Sequence, residues 1–283
     1  MRYNGADGIL RKMNKPWILL TNDDGVDSPI LIPLMRALKD VAEVEVVVPA
    51  SECSWTSKIM SRFDTLEVVH KEVAGERLTT LSGYPADCAN AGIFTLFSSR
   101  PSLVVSGINM GDNAGLAYFL SSGTVGAAVE GHLAGVPALA FSQRFDPEDY
   151  NYWRSERQLT DTTEAKLSSS IEVAREIVGE VWERGLPDGA DLMTVNMPVN
   201  AKVTTPRRFC PIARTSYGAF FERVNEKQKI RYGHSGYPDI VSTEDENDVA
   251  ILSRGEIALS PIRFAPYIQP SSEDLARFEY NSA

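Results

Sequence analysis

The chain has 283 residues, 43% of them hydrophobic and 23% charged, with a formal net charge of −10. That is enough chain for a sizeable core, as one large α/β domain or a domain with an appended arm. No stretch reaches the roughly 18 consecutive apolar residues of a membrane-spanning helix, and residues 1–16 lack the apolar centre of a secretory signal, so a soluble cytoplasmic protein with no membrane partner is expected. The acidic balance, with no block of lysine and arginine, argues against binding long nucleic acid through its phosphates.

Residues 1–16 have mixed polarity and no sustained period and read as an N-terminal extension. From Trp17 the chain alternates: a buried strand at 17–21, a helical pattern at 29–39 after Ser28-Pro29, and "EVEVVVP" as a strand at 43–48. A helix near 86–97 leads to "PSLVVSG" as a strand, a glycine-rich loop, a small-residue helix at about 123–134 and the strand "VPALAFS" at 136–142. This is the grammar of βαβ units, which predicts a doubly wound, Rossmann-like parallel sheet covered by helices. The stretch "QRFDPEDYNYW" reads as a polar loop, followed by a helix at about 161–184 and the strand "DLMTVNMP". Residues 203–245 carry alternating patterns, many charges and the turn-rich "YGHSGYPD", which read as hairpins. The predicted organisation is an α/β core over 17–200, a hairpin-rich arm with a return to the core over 201–262, and a tail over 263–283. "DVAILSRG" and "EIALSPI" supply a short helix and the returning strand. The three cysteines, Cys53, Cys88 and Cys210, have no CxxC spacing and read as small buried hydrophobes.

Three loops fall at the carboxyl ends of strands, where open α/β sheets bind ligands. The first is Asn22-Asp23-Asp24-Gly25. Such residues make ordinary turns, but adjacent carboxylates after a central strand repel each other, and a hard cation such as Mg²⁺ or Mn²⁺ relieves the repulsion. The second is "VVSGINMGDNAG", residues 104–115, which is not a dinucleotide fingerprint because GxGxxG spacing is missing. Its glycines permit positive φ, while the carboxamides of Asn109 and Asn113 suit either oxygen ligation or a phosphate contact. The third, "SSGTVGAAVEG" at 121–131, opens the small-residue helix. There Ser122, Gly123 and Thr124 offer backbone N–H groups and hydroxyls to an anion, or simply cap the helix. Together the loops describe one cleft for a metal and a phosphoryl group.

The blocks "ILLTNDDG", "SGYPADC", "VVSGINMGDNAG" and "SSGTVGAAVEG", in this order over about residues 17–142, resemble the signature of the SurE family of stationary-phase survival nucleotidases. The resemblance implies a divalent-metal-dependent phosphatase acting on nucleoside 5′- and 3′-monophosphates and on short polyphosphate. It implies one Mg²⁺ or Mn²⁺ per subunit on Asp23, Asp24, Ser54 and Asn109, and phosphate contacts from Asn113, Ser122, Gly123 and Thr124. Asp23, Asp24 and Asn109 are then the catalytic candidates, and self-association through exchanged arms, as a dimer or tetramer, is expected. Two departures stand out: "SWTSKIMS" where relatives have a glycine and further hydroxyls after the metal serine, and Tyr84 for the usual threonine. Lys58 is a candidate phosphate contact within the first of these. An aspartyl-phosphate mechanism is disfavoured, because Gly25 and Val26 stand two residues after Asp23 and Asp24 where that chemistry places a second acid. The rival from another class is a non-catalytic sensor of metal and nucleotide.

Overall fold

The computed structural model describes residues 13, 15–156, 158–224, 229–233, 239–240, 246–264 and 269–278; the expected extension over 1–16 lies almost wholly outside them. The first half contains β1 (Trp17–Thr21), α1 (Leu31–Leu38), β2 (Glu43–Pro49), β3 (Val68–Val73), β4 (Glu76–Leu81), α2 (Pro85–Phe94), β5 (Leu103–Met110), α3 (Leu116–Ser121), α4 (Gly123–Leu133) and β6 (Ala138–Gln143). The second half contains α5 (Pro147–Glu156), α6 (Asp161–Arg184), β7 (Leu192–Met197), β8 (Arg207–Phe209), β9 (Thr215–Ser216), β10 (Phe221–Val224), β11 (Lys229–Tyr232), β12 (Asp239–Ile240), α7 (Asp248–Ser253), β13 (Ile257–Ile262) and α8 (Ser272–Phe278).

A nine-stranded sheet runs β3-β4-β2-β1-β5-β6-β7-β13-β8. Its centre, from β4 to β7, is parallel, while β3 and β13 join antiparallel. The protein is thus α/β with a mostly parallel, doubly wound sheet, and antiparallel hairpin structure follows towards the C-terminus, with β10 on β11 and β9 on β12. Both faces of β1 are buried, which explains why its sequence is a continuous apolar run. Ile18 and Leu20 pack in the layer with α1 and α6, Trp17 and Leu19 in the layer with α2 and α4. On α6, Leu167, Ile171, Ala174, Val178 and Val181 form one apolar stripe at helical spacing. Thr160 caps that helix, accepting the Thr163 N–H at 3.2 Å.

Chain order diverges at β1: β2 lies on one side of it and β5 on the other. The loops after β1 and β5 therefore flank the switch point of the sheet, the place where such folds hold ligands.

Four features depart from the sequence expectations. "QRFDPEDYNYW" is not all loop, because Pro147 opens α5 with Glu148 and Asp149 in its first turn, the residues a helix N-terminus favours. Trp153 buries against the core, and Lys166 of α6 bridges Asp146 and Asp149 at 2.8 Å each. The β3–β4 hairpin escaped the sequence reading because β3 is exposed and carries no buried face; its turn is Ala74-Gly75, both at positive φ. Strand β8 pairs with β13 in the main sheet instead of making a local hairpin. Cys88 and Cys210 are buried as expected, whereas Cys53 is partly exposed.

Candidate active site

The loop after β1 is closed on itself. The Asn22 carboxamide donates to the Gly25 carbonyl at 3.0 Å and accepts the Gly25 N–H at 3.1 Å. Gly25 has φ +82°, and a Cβ there would stand 2.8 Å from the Ser51 carbonyl carbon, so the loop after β2 lies directly on this turn. The Cys53 N–H donates to the Asp23 carbonyl at 2.7 Å. These bonds turn Asp23 inward, where it is buried, and leave Asp24 half-buried beside it.

Asp23 meets the start of α4. The Thr124 hydroxyl donates to Asp23 Oδ1 at 2.5 Å, and the Thr124 backbone N–H also favours the carboxylate. Burial nevertheless dominates and pushes the Asp23 carboxyl up to about 6, with the Glu52 charge adding to the effect. A buried carboxylate is costly unless hydrogen-bond donors or a cation compensate it.

Asp24 reaches the carboxyl end of β5, where the Met110 N–H lies 3.4 Å from its Oδ2. The neighbouring Asn109 donates from its carboxamide to the Gly111 carbonyl at 2.7 Å, so any ligation by this residue falls to its carboxamide oxygen. The peptide bond between Gly107 and Ile108 in this strand is cis. Asn113 is committed further back: its N–H donates to Asn196 Oδ1 at 2.8 Å and its carboxamide to Ser142 Oγ at 2.7 Å. These contacts tie the loop to the ends of β6 and β7. Asp112 is paired with Arg144 at 2.6 Å.

At the start of α4, the Ser122 hydroxyl caps the helix by accepting the Val125 N–H at 3.1 Å. Gly123 is small for a reason visible around it: a Cβ would stand 2.9 Å from Asp23 Cβ and 3.0 Å from Thr56 Oγ1. One turn on, a Cβ at Gly126 would fall 2.2 Å from the Ser57 carbonyl oxygen. The loop over 51–58 is therefore clamped between α4 and the turn after β1. Within it the Ser54 hydroxyl is exposed and donates to Glu52 Oε1 at 2.8 Å. Lys58 pairs with Glu130 at 2.6 Å, and Asn90 holds the same carboxylate at 2.7 Å, so this lysine serves α4.

The structure thus brings Asp23, Gly123 and Thr124 together, while Asp24, next to Asp23 in the chain, meets the end of β5 at Met110 beside Asn109, and Ser54 stands on the adjoining loop. Two carboxylates, a hydroxyl and a carboxamide oxygen are hard donors, the kind that Mg²⁺ or Mn²⁺ takes. Among the described residues no group of three or more His, Cys, Asp and Glu is placed to hold a metal.

A family model described as Survival protein SurE matches residues 18–219. The chain belongs to the SurE family. Among its relatives, a 5′-nucleotidase SurE of Methanosarcina mazei is 33% identical over 262 residues, covering 89% of this chain and 93% of that protein. Another 5′-nucleotidase SurE, of Methanosarcina acetivorans, is 32% identical over 283 residues and covers 95% and 97%; one of Thermofilum pendens is 33% identical over 263 residues, covering 92% and 95%. The crystal structure of a SurE protein from Aquifex aeolicus superposes with a TM-score of 0.69 at 24% identity, covering 93% of this chain and 97% of that one, which supports the fold.

Two features of this SurE chain escaped the sequence reading. Asp248, at the start of α7, is fully buried and accepts the N–H groups of Gly115 at 2.8 Å, Ala213 at 2.8 Å and Val249 at 2.9 Å. Burial raises its pKa against the pull of those donors. The residue anchors the end of the glycine-rich loop, and only the Asn247-Asp248 pair before an apolar run hinted at it. The second is an aromatic cluster around Trp55, in which Tyr118, Tyr217 and Phe220 surround the indole.

Proposed function

We propose that the chain is a divalent-metal-dependent phosphatase that hydrolyses nucleoside 5′-monophosphates, with 3′-monophosphates and short polyphosphate as further substrates. The observation that carries the reading is Asp23, a buried carboxylate held by Thr124 at 2.5 Å at the start of α4, with Asp24 next to it. The names of the relatives point to the same substrate class.

Asp23, Asp24, the Ser54 hydroxyl and the Asn109 carboxamide oxygen would hold Mg²⁺ or Mn²⁺, which supplies Lewis-acid polarisation of the phosphoryl oxygen and a more acidic water. The protein's own contribution is position and charge. The Gly123 and Thr124 N–H groups at the start of α4 bind phosphoryl oxygens, and Ser122 holds that turn by capping it. Asn113 positions the glycine-rich loop through Ser142 and Asn196. Water attacks phosphorus opposite the ester oxygen, the P–O ester bond breaks, and the nucleoside leaves as the alcohol after taking a proton. A carboxylate of the Asp23–Asp24 pair accepts the proton from water.

The test is phosphate release from 5′- and 3′-nucleoside monophosphates, first with EDTA and then with Mg²⁺ or Mn²⁺ restored. Release only with metal is expected. Tight nucleotide binding with no release under any metal would overturn the enzymatic reading in favour of a sensor.

A further inference from the structure

Helix α3 has six residues, and Gly115 at its N-cap has no side chain with which to cap it. So short a helix is marginal in water, and its first N–H groups need partners from outside it. The partners come from far along the chain. The Gly115 N–H donates to Asp248 Oδ2 at 2.8 Å, the Leu116 N–H to the Ala213 carbonyl at 2.8 Å and the Ala117 N–H to Thr215 Oγ1 at 3.0 Å. Thr215 also seats on Gly115, whose φ is +82°, because a Cβ there would stand 2.6 Å from Thr215 Cγ2. Asp248 fixes this second segment as well as the first, since its Oδ1 accepts the Ala213 N–H at 2.8 Å and the Val249 N–H at 2.9 Å.

The other end of α3 is the phosphate end of the site. Ser122 closes α3 by donating its N–H to the Tyr118 carbonyl at 3.0 Å, and the same residue caps α4. Gly123 and Thr124 follow at once, so no further residue stands between the two helices to absorb a shift. The last turn of α3 rests on the loop over 51–58, where the Ser57 N–H donates to the Ser121 carbonyl at 2.8 Å and its hydroxyl to the Leu120 carbonyl at 2.7 Å. A displacement of Gly115 is therefore carried along α3 to the start of α4.

We infer that Asp248 is a positioning residue for phosphate recognition: through Gly115, Ala213 and α3 it sets where the Gly123 and Thr124 N–H groups stand. The inference rests on the phosphatase reading above and adds to it the residue that holds its phosphate turn in place. A carboxylate suits this role where an amide does not. Both oxygens of Asp248 accept, Oδ2 from Gly115 and Oδ1 from Ala213 and Val249, whereas asparagine has one accepting oxygen and one NH₂. In either amide orientation the NH₂ faces at least one backbone N–H in a buried place, and the segments must part.

The test uses the full chain, Asp248→Asn and Thr215→Val, the last of which keeps the branched shape and removes only the acceptor of the Ala117 N–H. Calorimetric titration with inorganic phosphate in Mg²⁺ is expected to show binding weakened about tenfold in Asp248→Asn and about threefold in Thr215→Val, with KM for adenosine 5′-monophosphate rising by the same factors. A role confined to stability would lower the melting temperature and the active fraction but leave phosphate affinity and KM alone. Unchanged phosphate affinity and KM in Asp248→Asn, whatever happens to kcat and melting, overturns the inference. If Asp248→Asn does not fold, Thr215→Val decides in the same way. A wild type that binds phosphate without turning over the nucleotide, with binding weakened in the variants, overturns the phosphatase reading and upholds the positioning role; no phosphate binding and no turnover overturn both.

Discussion

Asp23→Asn is expected to lower metal-dependent phosphate release at least ~100-fold while making the metal-free protein more stable at neutral pH. The two effects share one cause. In the folded chain burial raises the Asp23 carboxyl from 3.8 to about 6, so between those values the native state holds a proton that the unfolded state has released. Stability then falls as pH rises through this window, and above it the folded protein carries the full penalty, on the order of 2–3 kcal/mol. Asparagine keeps the size of the side chain and an oxygen for the Thr124 hydroxyl but removes the buried charge. Melting in EDTA at pH 7.5 should therefore occur several degrees higher for the mutant, and the difference should disappear below about pH 4, where aspartate is neutral in both states. Added Mn²⁺ should stabilise the wild type more than the mutant, because binding favours the state that has the ligand charge. Equal melting temperatures in EDTA at pH 7.5, or wild-type turnover with unchanged metal dependence, would remove Asp23 from its proposed place.

Gly126→Ala is expected to damage the site without touching a proposed ligand. Its new Cβ would lie 2.2 Å from the Ser57 oxygen, 2.7 Å from the Ser57 carbonyl carbon and 3.0 Å from the Lys58 nitrogen, all backbone atoms that no rotamer change can move. Ordinary contact requires the loop and α4 to separate by about 1 Å, a displacement that costs about 100-fold in rate when it falls on catalytic groups. Overpacking of this kind also costs about 1–3 kcal/mol of stability, partly offset by the better helix propensity of alanine. Gly135→Ala is the control. It sits at φ +76° with nothing within 4 Å of an added Cβ, so it strains the backbone and leaves the loop in place. Steady-state kinetics and thermal melting of both variants separate the cases. Wild-type kcat/KM in Gly126→Ala would mean that the clamp of α4 on loop 51–58 has no bearing on the chemistry.

The legible part of this protein is local. Strand β1 declared itself because both its faces are buried, and the acids after it declared themselves because nothing apolar explains two carboxylates at the end of such a run. The helix expected at about 161–184 is Asp161–Arg184, and its buried apolar stripe and Thr160 cap are the physical reasons it forms there. What lay hidden depends on contacts between distant segments. The bond from Thr124 to Asp23 spans 101 positions, and no period or motif encodes it. Ser54 sits in a loop without pattern, and only the family resemblance singled it out. The carboxamide of Asn113 was open to ligation or phosphate contact in the sequence; its donation to Ser142 ties it to the scaffold. Asp248 was hidden because its role is to satisfy backbone donors on three segments, which composition does not record. The β3–β4 hairpin was missed because an exposed edge strand lacks the apolar alternation that marks a buried one.

The most direct measurement is anomalous diffraction at the manganese edge from crystals grown with Mn²⁺ and phosphate. The expected result is one manganese peak per chain in contact with the carboxylates of Asp23 and Asp24, with a phosphate on the Gly123 and Thr124 N–H groups. A crystal with saturating Mn²⁺ in which the peak lies elsewhere, or in which phosphate leaves the start of α4 empty, would contradict the proposed site.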